Sequence, residues 1–81
     1  MTWFVNKEWT KDGDVKNSAA AEFYSREMCE EHIRFASDHF AWPNRAVVME
    51  DSTDQFCVIW EETTMQASTI HGLRWWIEER P

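Results

Sequence analysis

The chain has 81 residues, a formal net charge of −7 with histidine neutral, and 43% hydrophobic residues including six Trp, five Phe and one Tyr. That length allows one domain, 1–81, with a folded surface of roughly 5,100 Å², too little for a core plus a deep enclosed pocket. The aromatic content excludes a disordered chain. No apolar run approaches the roughly 18 to 20 residues of a membrane helix, so a soluble cytoplasmic protein is expected.

Residues 2–10 alternate, with Trp3, Val5, Lys7 and Trp9 on one side and Thr2, Phe4, Asn6 and Glu8 on the other, which predicts a strand. Asp12-Gly13 is a turn signal, and Val15 to Asn17 read as a short return strand or the approach to a helix. Residues 18–41 read as the principal helix. Ser18 is its cap, Ala19, Ala20 and Ala21 are strong helix formers, and Tyr24, Met28, Cys29, Ile33, Phe35, Ala36 and Phe40 make an apolar sector. Pro43 ends it at Trp42. The polar side offers Arg26–Glu30, Glu30–Arg34 and Arg34–Asp38 at i,i+4 spacing, a self-paired solvent face.

Residues 45–51 and 56–62 read as antiparallel strands around a turn at 52–55. Val47 beside Val48 and Val58 beside Ile59 predict strands that are central or covered on both faces. Residues 63–80 fit either a helix or a strand, with the balance toward a strand that turns Leu73, Trp75 and Ile77 inward. The expected fold is α+β: an antiparallel sheet of three to four strands on one helix, in the order β-α-β-β followed by β or α.

Two features bear on function. Residues 46–73 contain Glu50, Asp51, Asp54, Glu61 and Glu62 and no Lys or Arg. If the hairpin register holds, three acids surround its turn and two lie at the far end of its second strand. Gathered within a Debye length of about 8 Å to 10 Å, they would make a field that repels nucleic acid and attracts basic proteins. The second feature is the surplus of indoles. Adjacent Trp75 and Trp76 cannot both face a core from one strand, and exposed Trp beside charge is a common interaction anchor.

Other chemistry is thinly represented. Cys29 and His32 are the only ligand pair at zinc-like spacing, and no nucleophile elbow, phosphate loop or metallohydrolase spacing appears, so no catalytic residue, metal or cofactor is assigned. Whether Cys29 and Cys57 lie close is open. The expected function is a non-enzymatic acidic protein-binding domain whose carboxylates stand in for phosphates on the basic surface of a nucleic-acid-binding protein. Trp60, Trp75 or Trp76 would be its anchor. In size, charge and lack of a catalytic constellation the chain is similar to the small anti-restriction and anti-CRISPR inhibitors of phages as a class, a likeness without a shared motif. The alternative is a structural subunit or homodimer burying surplus aromatics against itself.

Overall fold

A computed structural model describes residues 2–39, 43 and 45–81. The elements in chain order are β1 (Thr2–Lys11), β2 (Asp14–Phe23), α1 (Arg26–His39), β3 (Val47–Asp51), β4 (Gln55–Thr63) and β5 (Ser68–Arg80). The strands form one antiparallel sheet ordered β2-β1-β5-β4-β3. The α+β class with one helix on an antiparallel sheet therefore holds. The strand count and element order differ from expectation: there are five strands, and the return strand after β1 is a full ten residues.

The difference begins at the first turn. Asp12 and Gly13 both take positive φ, 51° and 87°, the requirement of a two-residue hairpin turn whose twist matches its strands. The chain leaving that turn is already aligned on β1, and Ala19, Ala20 and Ala21 pair with Lys7, Asn6 and Val5. Cross-strand pairing overrides the helix preference of three alanines, which amounts to only tenths of a kcal/mol per residue. The helix starts later. Ser25, not Ser18, caps it: the Met28 N–H donates to Ser25 Oγ at 3.3 Å and the Cys29 N–H to the Ser25 carbonyl.

The register sorts the side chains onto two faces. Toward α1 point Trp3, Val5 and Trp9 of β1, Phe56, Val58 and Trp60 of β4, and His71, Leu73, Trp75 and Ile77 of β5. Cys29, Ile33 and Ala36 of α1 close the core against them, with Val58 and Cys29 fully buried. The expected apolar sector of the helix is thus narrower than read. Met28 and Phe35 are exposed, Tyr24 precedes the helix and is 94% exposed, and the expectations for Phe40 and Trp42 fall outside the described residues.

β5 is the middle strand, paired with β1 on one side and β4 on the other. The strand reading of the C-terminal segment is correct, including the inward row of Leu73, Trp75 and Ile77. Gly72 sits where a Cβ would lie 2.6 Å from Thr10 Oγ1, so it marks a close cross-strand approach. β3, expected to be central or doubly covered, is instead an edge strand. All five of its residues are exposed, and Met49 is the extra residue of an irregularity between Val48 and Glu50.

Among the described residues no second layer covers the face opposite α1, and the 5,918 Å² surface exceeds the compact expectation of about 5,100 Å² accordingly. That open face is roofed by its own arginines. Arg74 lies 4.9 Å above the Trp76 ring, and Arg80 lies 4.1 Å above Phe4 while pairing with Glu78 and bonding Asn6.

Because a single helix seals the core, Ile33→Ala should lower stability by about 3 kcal/mol. Met65→Ala, at a fully exposed loop position, should stay within about 0.5 kcal/mol. Urea unfolding midpoints at unchanged slope measure both.

Candidate functional site

The five acids of the β3–β4 hairpin are all exposed, and they separate into two groups. Glu50, Asp51 and Asp54 surround the turn, while Glu61 and Glu62 lie toward the opposite end of β4, roughly 13 Å along the strand from Glu50, which is level with Cys57, and roughly 25 Å from Asp54. Even the shortest of these separations exceeds one Debye length of about 8 Å to 10 Å, so the two groups are largely screened from each other.

At the turn, Ser52 Oγ donates to Asp54 Oδ1 at 2.8 Å, and Arg26 Nη2 approaches Asp54 Oδ2 at 3.8 Å with both side chains about half exposed. Of the expected helix pairs, Arg26–Glu30 closes at 3.2 Å. Arg34 instead lines, with Glu30, Asp38, Asp51, Ser52 and Thr53, a cleft between α1 and the turn. The helix acids therefore join the turn acids around this cleft, whereas the sequence reading kept them apart.

The other end holds a more organised arrangement. Trp9, His71 and Trp60 stand side by side across β1, β5 and β4 on the helix-side face. Their planes are nearly parallel: Trp9–His71 centroids are 5.9 Å apart at 8°, and Trp60–His71 centroids 5.4 Å apart at 16°. Trp9 Nε1–H donates to His71 Nδ1 at 3.3 Å, which requires Nδ1 to be unprotonated and puts the imidazole proton on Nε2. That nitrogen faces Glu62 Oε2 at 3.6 Å. Glu61, on the other face of β4, accepts from the Ser68 and Thr63 hydroxyls. Among the described residues no Lys or Arg comes within ion-pair distance of Glu61 or Glu62.

β4 outlasts β3 here, since the β3–β4 ladder ends at Val47↔Ile59. A groove lined by Arg45, Val47, Ile59, Trp60, Glu61 and Ile70 follows the unpaired stretch. Trp60 thus shares the helix-side face with Glu62, while Glu61 lies on the other face of β4. Trp75 is not: at 2% exposure it lies in the core against Phe56. Trp76 lies beneath Arg74 on the open face. Trp9 and His71 were missed as members of this group, because their meeting depends on β1 and β5 being neighbours across sixty residues of chain.

The cysteines are free and lie on opposite faces of the sheet, Cys29 under α1 and Cys57 beside Glu50 and Arg74. Both thiols are pushed above their ordinary pKa. For Cys29, burial is the main cause, with Arg26 opposing and Glu30 adding to it; for Cys57, burial is again foremost, with Glu50 adding and Arg74 opposing. Among the described residues, no three His, Cys, Asp or Glu side chains converge as metal ligands.

No family model, no curated protein and no solved structure matches this chain.

Two outcomes follow for these side chains. A raised pKa leaves less thiolate at neutral pH, so native alkylation should be slower than for free cysteine. Cys57 should react first and Cys29 only as the chain unfolds, as read by mass spectrometry of quenched samples. His71→Phe retains a ring but removes the acceptor for Trp9, and should cost about 1–2 kcal/mol in urea unfolding together with a shift in Trp emission.

Proposed function

We propose that this protein is a non-enzymatic binding domain that docks an acidic, indole-bearing surface on a basic region of a nucleic-acid-binding protein. The observation that carries this reading is the end of the sheet where Trp60 and Trp9 flank His71 beside Glu62, with Glu61 on the other face of the same strand and no Lys or Arg in ion-pair reach of either acid among the described residues. A partner Arg or Lys gains twice there, from the carboxylates and from the face of an indole. The turn acids Glu50, Asp51 and Asp54, roughly 13 Å to 25 Å away along the strand, supply a second anionic contact for the same partner, as two separated phosphates would. Trp60 is the anchor in this scheme, with Trp76 in a secondary role because Arg74 must move to uncover it. An inhibitor or decoy of the kind small phage proteins present to restriction and CRISPR enzymes would act in this manner.

The test is capture from a cell lysate on immobilised protein at about 50 mM and about 500 mM salt, where charge-driven binding weakens steeply. Basic nucleic-acid-binding proteins should be retained at low salt and released at high salt. Glu50→Gln, Asp51→Asn, Asp54→Asn, Glu61→Gln and Glu62→Gln combined should abolish their retention, and Trp60→Ala alone should reduce it about tenfold. Retention that is indifferent to both salt and the amides would exclude the proposal.

A further inference from the structure

The two edges of the sheet differ in how they are protected. β3 is five residues long, interrupted at Met49 and finished by Glu50 and Asp51, devices that discourage pairing with another strand. β2 has little such protection. It is ten residues long, and its ladder with β1 runs without interruption from Trp3↔Phe23 to Trp9↔Asn17. From Asn17 to Ala21 it carries no charge, and every residue but Phe23 is exposed. Its outer backbone donors and acceptors face away from β1, where among the described residues no strand receives them.

We infer that β2 pairs antiparallel with β2 of a second copy of this chain, centred on Ala19, joining two sheets into one of ten strands. This goes beyond the acidic-partner reading and uses none of its residues. Two copies related by a two-fold axis normal to the sheet must pair residues whose numbers sum to a constant even value, because facing side chains share a face. Centring on Ser18 sets Lys16 against Ala20, and Asp14, which the irregularity turns to the face opposite Glu22, gains no partner either. Centring on Ala20 sets Glu22 against Ser18 and leaves Lys16 without an anionic partner. Centring on Ala19 sets Lys16 opposite Glu22 at both ends and encloses only Asn17, Ser18 and alanines between. Charge complementarity therefore selects one register.

Lys16 lies at the irregularity between Trp9 and Thr10, which loosens its strict alternation and lets its long side chain reach the second copy's Glu22. The overlap from Val15 to Phe23 would add about eight backbone hydrogen bonds. The axis also places both helices on the same face of the joined sheet.

Sedimentation velocity over a range of protein concentrations, at fixed salt, tests the inference. The unmodified chain should dimerise reversibly. Ala19→Lys places two ammonium groups across the axis and should yield monomer at every concentration. Lys16→Glu should weaken the dimer about tenfold or more, as should Glu22→Lys, and the combined Lys16→Glu/Glu22→Lys chain should recover it. Circular dichroism establishes that each variant is folded, and the charge exchange carries the test should Ala19→Lys fail to fold. An unmodified chain that stays monomeric throughout would overturn the inference. So would a dimer unmoved by these changes but dissociated by Met49→Lys on the opposite edge. None of these outcomes bears on capture of a basic partner, which depends on the other end of the sheet.

Discussion

The arrangement depends on β5 being paired along both edges. A strand bonded to β1 and β4 together joins the two hairpins of the chain, β1–β2 and β3–β4, into one sheet. Its inward row of Leu73, Trp75 and Ile77 gives α1 a continuous surface to cover. Only one helix is available, so only one face of the sheet is sealed. Burial at Val5, Cys29, Ile33, Phe56, Val58 and Trp75 is concentrated beneath that helix, and the ends of the sheet are left to other means of support.

Those means are polar and aromatic. On the open face, guanidinium groups lie over Phe4 and Trp76 and shield rings that a second layer would otherwise cover. Beyond the helix, the row of Trp9, His71 and Trp60 supports itself by ring contacts and a hydrogen bond, with Glu62 beside the free imidazole nitrogen. Such a surface is ordered without being buried. Rigid aromatic groups held beside carboxylates lose little conformational entropy on meeting a partner, which makes this end suited to recognition.

The charge distribution follows the same geometry. A hairpin puts its turn and its strand ends at opposite extremes, so the acids at the turn and the acids at the end of β4 are drawn apart along the strand. The asymmetry between the edges is also geometric. β3 is cut short by its bulge and its acids, whereas β2 inherits its length from β1 through a two-residue turn.

The sequence by itself determined the α+β class, the alternation of β1, the β3–β4 hairpin, and the inward set of Leu73, Trp75 and Ile77, because side-chain periodicity is a local property that pairing only has to accept. It also implied that Glu62 shares a face with Trp60, since residues two apart in a strand point the same way. Tertiary structure decided the fate of Ser18 to Phe23, where alanines with helical preference became a strand once Asp12-Gly13 aligned them on β1. It decided as well that β3 is an edge, that Trp75 lies in the core, and that Trp9 and His71 complete the row around Trp60. Each of these rests on which strands lie side by side, a choice made by long-range backbone hydrogen bonding and by where one helix can bury its apolar face.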